Sequence, residues 1–369
     1  MVVDGIEGLT PAWISHVLRE SLDLAGLEVV DIVATPVGTG QMSDSARLNL
    51  RYASGRPDGA PASVIAKLPA SDPTSRATGV WAGAYEKEVR FYQELAPVLG
   101  VRTPFVYRAD IDMSSGNFVL LLEDLHPARQ GDQLVGCSIA EAELALGELV
   151  GLHAPRWGDP QLSASWLRAP SRGMSEALPL LWDVWQARFE GCFGADVRAA
   201  GDALIESAQA FDQWPPRSRC TLVHNDYRLD NLLFGTAEGG PPVTVVDWQS
   251  VGIGRGATDV AYFLGGGLLE GVRRDNEERL VRSYHERLIA ASVRGADWDD
   301  CWLEYRAGAF AGLAMTITAP MLVQQTKRGD EMFLAMARRH ACHVLDLDAA
   351  AALAELLELE AWRAGRRTA

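Results

Sequence analysis

The sequence predicts an α+β chain in two parts, one rich in strands and the next mainly helical. Three observations carry that expectation. The apolar patterning changes near residue 125, from five strand-like runs to longer helical ones. The helical part is interrupted once, between Cys220 and Trp248, by two apolar strands around a Gly235–Pro242 turn. The length of 369 residues, at ~150 residues per domain, leaves room for two such units.

The elements follow in order. Thr10-Pro11 opens a first helix, with threonine as N-cap and proline at the first helical position. Strands are expected at Leu27–Val37, Ala46–Tyr52 and Ser63–Leu68, with the small-residue turn Gly38-Thr39-Gly40-Gln41-Met42-Ser43 between the first two. A helix over Gly83–Leu95 precedes strands at Phe105–Ile111 and Asn117–Leu122. Beyond Leu125, Ser138-Ile139-Ala140-Glu141 is a capping box for a helix ending near His153. Further helices are expected near Glu176–Glu190, Asp196–Trp214, Asn276–Ala291, Asp297–Ala319 and Asp330–Asp346, and Arg363–Arg367 as a frayed tail.

Composition excludes several classes. With 48% hydrophobic and 22% charged residues, the chain is neither disordered nor fibrous. A formal net charge of −15 repels phosphate backbones and anionic membrane surfaces, so neither nucleic acid nor membrane is expected as a partner. The five cysteines are widely spaced with no CxxC pair, which argues against a disulfide scaffold or zinc ribbon and fits a cytoplasmic setting. The N-terminus has no basic segment followed by an apolar core, so no signal peptide is expected. The most apolar stretch, Ala307–Val323, falls short of the ~20 residues that span a bilayer and reads as a buried helix.

The densest chemistry lies in His224-Asn225-Asp226-Tyr227-Arg228-Leu229-Asp230-Asn231, a polar loop between two apolar strands. Sixteen residues past Asn231, the apolar run Val243–Val246 ends in Asp247-Trp248-Gln249. A carboxylate closing an apolar strand needs a partner or an opening. His-x-Asp-x4-Asn followed by a strand-ending Asp is a layout suited to phosphoryl transfer. One aspartate takes or orients a hydroxyl proton, and the asparagine and second aspartate hold magnesium against phosphates. Asp230 competes with Asp226 for the first role, but the five-residue spacing to Asn231 favours Asp226. His224 reads as a satisfied core histidine, and Asp259 as a brace beneath the loop. Lysine is rare in this chain, at three of 34 basic residues, so Lys67 inside Val64-Ile65-Ala66-Lys67-Leu68 calls for a reason.

These motifs resemble the aminoglycoside phosphotransferase/choline kinase superfamily of the protein-kinase-like fold, and within it the ecdysteroid-kinase-like bacterial phosphotransferases. The resemblance spans roughly Leu27–Leu264. It implies an N-terminal lobe (1–122) built on a five-stranded antiparallel sheet and a connector (123–125). A helical C-terminal lobe (126–369) would follow, carrying a catalytic loop at 222–234. It implies Asp226 as catalytic base, Asn231 and Asp247 as Mg2+ ligands, and ATP as phosphoryl donor. Lys67 would reach the α- and β-phosphates, where a compact ammonium fits better than a guanidinium fork. Of its two candidate counter-ions, Glu86 and Glu88, the family pattern Glu-x-x-Phe-Tyr selects Glu88 with Phe91 and Tyr92. Gly38, Gly40 and Ser43 would cover the phosphates, although the segment is not GxGxxG. The backbone of Glu123 and Leu125 would meet the adenine edge. His153 matches the family's Leu-His-Ala helix end and caps its own helix. The chain departs from the family at Asn225, usually glycine, and at Gln249, usually an acid.

The implied function is ATP-dependent transfer of the γ-phosphate to a small-molecule hydroxyl, on an aminoglycoside-, sterol- or amino-alcohol-like acceptor. The alternative is a nucleotide-binding module without catalysis. It is disfavoured because Lys67, Glu88, Asp226, Asn231 and Asp247 are all present. A metal-dependent hydrolase lacks a further ligand cluster. A protein kinase lacks an Ala-Pro-Glu segment and a long loop after Asp247.

Overall fold

The computed structural model describes residues 2–3, 5–38, 42–160, 162–167, 174–212 and 220–367. The chain forms two compact units, Met1–Arg129 with Gly235–Ser250, and Gln130–Phe234 with Val251–Ala369.

The first unit opens with helix α1 (Pro11–Leu22), capped by Thr10, whose hydroxyl accepts the Trp13 N–H at 3.2 Å. Strands β1 (Val29–Pro36), β2 (Ser43–Tyr52) and β3 (Ser63–Pro69) follow. Two helices come next, α2 (Pro73–Trp81) and α3 (Ala84–Arg90), then β4 (Val106–Asp112) and β5 (Asn117–Glu123). The five strands make one antiparallel sheet in the order β1-β2-β3-β5-β4. Side chains alternate across it. Ala46, Leu48, Val64, Ala66, Leu68, Val119 and Leu121 join Ile14, Val17 and Leu18 of α1 in one core. Each fully buried leucine or isoleucine there contributes ~1.5–3 kcal/mol. The opposite face carries Lys67 at the sheet's centre, in register with Ser45 and Leu120, so it is no edge-strand lysine.

The second unit begins as the chain leaves the two-residue strand β6 (Arg129–Gln130). Helix α4 (Ile139–His153) starts at the expected capping box: Glu141 N–H bonds Ser138 Oγ at 3.2 Å and Ser138 N–H bonds Glu141 Oε2 at 2.9 Å. Helices α5 (Met174–Arg188) and α6 (Ala195–Asp212) lead to the short strand β7 (Thr221–Val223). The hairpin β8 (Leu232–Thr236) and β9 (Gly239–Val245) carries the chain into the first unit. It returns through β10 (Gly252–Gly254), antiparallel to β7. Five helices complete the unit: α7 (Gly256–Gly267), α8 (Glu270–Ala290), α9 (Trp298–Thr318), α10 (Lys327–Asp346) and α11 (Ala349–Arg367).

The five strands and the capped helices lie where the sequence places them. Three helices, α2, α7 and α11, were not expected. The tail is a correction: α11 runs to Arg367, and Arg363 donates to Asp300 at 3.0 Å, so this end is helical and paired rather than frayed. The expected helix over Gly83–Leu95 changes pitch, from α through Arg90 to a π turn over Phe91–Leu95. Among the described residues, no helix is long and apolar enough to cross a membrane.

Candidate active site

In the first unit, strand β3 presents Lys67, helix α3 presents Glu88, and the chain after β9 presents Asp247. Lys67 Nζ lies 2.8 Å from Glu88 Oε1 and 2.8 Å from Asp247 Oδ1. The second ion pair was not foreseen in the sequence. Glu86, the other candidate, pairs with Arg90 at 3.1 Å instead. Burial works to lower the Lys67 ammonium pKa, but Asp247 and Glu88 outweigh it and hold the pKa above the ordinary lysine value. Burial, reinforced by Asp247 and offset by Lys67, pushes Glu88 up to about 7. Asp247 has φ +66°, a backbone region rarely adopted outside glycine and costing ~1–3 kcal/mol. Neighbours over-determine it: Trp248 stacks on Phe91 with centroids 3.7 Å apart and planes at 9°, and the Trp248 N–H donates to Glu88 Oε1 at 3.3 Å. The strained residue is thus held by the same helix that supplies the counter-ion.

The same unit contains a cleft of about 630 Å³, lined among others by Thr35, Arg47, Asn49, Ser63, Tyr107, Glu123 and Asp124. Arg47 forks onto Asp124 at 2.6 and 3.0 Å, and Ser63 Oγ donates to Asp124 at 2.6 Å. Glu123 ends β5, and the Leu125 carbonyl accepts the Ala128 N–H at 2.8 Å. Gly38 has φ +81°, which glycine adopts without penalty. Ser43 is the first residue of β2, opposite Pro69. Gly40, with Thr39 and Gln41, lies outside the described residues.

In the second unit, Asp259 on α7 clamps the start of the polar loop. Its Oδ2 accepts the His224 N–H at 2.6 Å and its Oδ1 the Asn225 N–H at 2.9 Å. His153 is buried behind it, with Nε2 3.3 Å from Asp259 and Nδ1 2.7 Å from Tyr284 Oη. It therefore braces the clamp instead of merely capping α4. His224 is buried and supports the loop, its Nδ1 accepting the Asp226 N–H at 3.3 Å. Asn225 has φ +63°, a left-handed backbone that asparagine tolerates better than most residues.

Beyond the clamp, Asn231 folds back on Asp226, its Nδ2 donating to the Asp226 carbonyl at 2.8 Å and to Oδ2 at 2.9 Å. Arg228 Nε reaches the same carboxylate at 3.2 Å, and Tyr262 donates to Oδ1 at 2.8 Å. Asp230, the rival carboxylate, is only 1% exposed at its side chain, against 22% for Asp226. It accepts the Gln133 N–H at 3.0 Å, Arg228 at 2.9 Å and Arg328 at 3.2 Å. Burial works against its charge, but Arg228, Arg328 and that N–H hold its carboxyl below the usual range. Gln133 also accepts the Leu229 N–H at 2.9 Å and donates to the Gly266 carbonyl at 2.8 Å. Asp259 and Gln133 thus hold the loop from two sides. Gln133, Arg228 and Tyr262 were missed in the sequence, because no spacing rule connects residues 133 and 262 to residue 226.

The residue types suit magnesium: in one unit Asp247 is a partly exposed carboxylate, and in the other Asn231 has committed its amide N–H group to Asp226, which leaves its amide oxygen as the hard donor.

The fold agrees with what the comparisons give. Residues 45–306 match the profile of the Phosphotransferase enzyme family, APH, so the chain belongs to that family. Its class is therefore a phosphotransferase enzyme of the aminoglycoside phosphotransferase/choline kinase superfamily, with the protein-kinase-like fold. Among solved structures it is similar to choline kinase from Cryptosporidium parvum, at 11% identity and TM-score 0.55, covering 96% of this chain and 99% of that one. A microcompartment-associated aminopropanol kinase is similar at 15% identity and TM-score 0.51, with coverage of 88% and 95%. An aminoglycoside 2'-phosphotransferase-IIIa variant solved with GDP is similar at 15% identity and TM-score 0.51, with coverage of 89% and 97%. At such identities these likenesses show the fold alone. A curated mouse protein, Acyl-CoA dehydrogenase family member 10 (Mus musculus), is 40% identical over 70 residues, 18% of this chain and 6% of its own length.

Proposed function

We propose that the protein is an ATP-dependent, magnesium-requiring kinase that transfers the γ-phosphate of ATP to a hydroxyl of a small molecule. The observation that carries this reading is the carboxylate of Asp226, held by three side-chain donors and still partly open to solvent. In this reading Asp226 takes the acceptor's hydroxyl proton, and the hydroxyl oxygen bonds to the γ-phosphorus as ADP leaves. Lys67, kept charged between Glu88 and Asp247, orients the α- and β-phosphates, and Gly38, Gly40 and Ser43 cover them. Glu123 and Leu125, in the connector between lobes, present backbone groups to the base, and the cleft beside Asp124 receives it. Asn231 and Asp247 would hold magnesium, which neutralises charge developing on the phosphates. Five free cysteines fit a cytoplasmic setting.

ADP formation from Mg·ATP, measured over alcohols, sterols, aminoglycosides, macrolides and amino alcohols, tests the proposal. We expect magnesium-dependent ADP release stimulated by at least one acceptor class. ATP binding without turnover across the panel would favour the catalytically inactive nucleotide-binding module.

A further inference from the structure

Tyr262 lies on α7, buried at 4% exposure, on an element that contributes no residue to the proposed chemistry. Its hydroxyl donates to Asp226 Oδ1 at 2.8 Å, Asn231 reaches Oδ2 at 2.9 Å, and Arg228 Nε lies 3.2 Å from both oxygens. The phenol comes from a rigid helix, whereas Asn231 and Arg228 belong to the loop itself. The phenol ring is fixed in turn: His340 of α10 stacks on it, centroids 5.5 Å apart and planes at 30°. His340 is fully buried against Gly265, Gly266 and Gly312, so closely that a Cβ at any of the three would clash with its ring.

We propose that Tyr262 is a positioning residue for the phosphotransfer reaction: by holding Oδ1 from a rigid helix it fixes the plane of the Asp226 carboxylate that meets the acceptor's proton. This assignment rests on the reading of Asp226 as the base. Burial first, and then the adjacent Asp226 charge, raise the Tyr262 hydroxyl well above its ordinary pKa, so the phenol stays a donor throughout the working pH range. The division of labour follows from the ligands. Asn231 has a second task at the metal, and Arg228 also serves Asp230, whereas the Tyr262 hydroxyl serves Asp226. A carboxylate free to rotate about its Cβ–Cγ bond would populate geometries in which neither oxygen meets the hydroxyl, and small misplacements cost up to ~10²-fold in rate.

The test is a cycle of three variants, Tyr262→Phe, Asp226→Asn and both together. Turnover would be assayed as ADP release from Mg·ATP with choline, ethanolamine, 1-amino-2-propanol and kanamycin as acceptors, and with water as background acceptor. Phenylalanine keeps the ring against His340 and deletes the hydroxyl alone. We expect Tyr262→Phe to lower kcat ~10- to 100-fold with KM for ATP and melting temperature nearly unchanged. In the Asp226→Asn background the same change should cost nothing further, because the hydroxyl acts through that carboxylate. A merely structural tyrosine would instead lower turnover equally in both backgrounds, which would overturn the proposal. So would a fully active Tyr262→Phe beside an inactive Asp226→Asn, leaving the reading of Asp226 intact. A fully active Asp226→Asn would overturn both.

Discussion

Single residues carry most of the site's chemistry, and Lys67 shows how. A lysine in an arginine-biased chain sits between two carboxylates, each 2.8 Å from Nζ. A guanidinium presents a planar fork and cannot reproduce that compact bridge. Lys67→Arg is therefore predicted to stay folded while kcat/KM falls ~10²–10³-fold, the loss typical of one preorganised donor. Wild-type turnover in a steady-state assay would contradict the assignment. Lys67→Ala should also lose ~3–5 kcal/mol of stability in urea unfolding, because Glu88 would be left buried without its cation. Asn225 makes a second case. Its φ of +63° suits glycine or asparagine, so Asn225→Gly should change stability by less than ~1 kcal/mol and remain active. Asn225→Val should lose ~1–3 kcal/mol by the same measurement, since a branched side chain resists left-handed backbone.

At the scale of elements, α10 carries two buried histidines whose environment fixes their charge. Burial, with Arg339 and Arg273 adding to it, pulls His340 down to about 3, and burial holds His343 well below the ordinary histidine value. Around them stand Tyr262, Tyr305, which lies 3.0 Å from His343 Nε2, and Glu277, at 3.6 Å. A histidine depressed in the folded state contributes its full stability above the unfolded pKa of ~6.5. That stability is lost as pH falls, because the unfolded chain takes the proton first, at ~1.4 kcal/mol per pH unit for each group. Histidine Cε1–H NMR should find both rings neutral at pH 5, and a midpoint near 6.5 for either would refute this.

Elements were legible in the sequence where their signals are local. Thr10-Pro11 and the Ser138–Glu141 box mark helix starts, and both caps form. Asp72-Pro73 carries the same kind of signal for α2, with Asp72 accepting the Ser75 N–H at 2.7 Å, and was overlooked. Helix α7 is buried along nearly all its length and so lacks the one-sided patterning that marks a surface helix. In the site, spacing within a single loop gave Asp226 and Asn231, and the family pattern gave Glu88. The Lys67–Asp247 bond, the Gln133 prop and the Tyr262 donor join residues from 97 to 180 positions apart, or on a separate helix, and pairings of that kind leave no local trace.

In the molecule as a whole, the chain crosses between its two units after Arg129, Phe234 and Ser250. Asp247 thereby belongs to the unit of Lys67 and Glu88, and Asp226 to the unit of Asn231 and Tyr262. In the proposed function the first set serves nucleotide and metal and the second chiefly the acceptor. Mg·ATP should accordingly stabilise the folded chain. At 100 times its dissociation constant, binding adds ~2.7 kcal/mol, visible as a rise of several degrees in melting temperature. An unchanged melting temperature at millimolar Mg·ATP would count against a nucleotide site.

The most direct test of the central claim is Mg·ATP titration calorimetry on Asp226→Asn and Asp247→Asn, set beside their turnover. Asp226 is assigned to the acceptor's proton, so Asp226→Asn should bind Mg·ATP as the wild type does while turnover falls ~10²–10⁴-fold. Asp247 is assigned to the metal, so Asp247→Asn should lose both binding and turnover, with partial recovery at high magnesium. Wild-type Mg·ATP affinity in Asp247→Asn, or undiminished turnover in Asp226→Asn, would contradict the account.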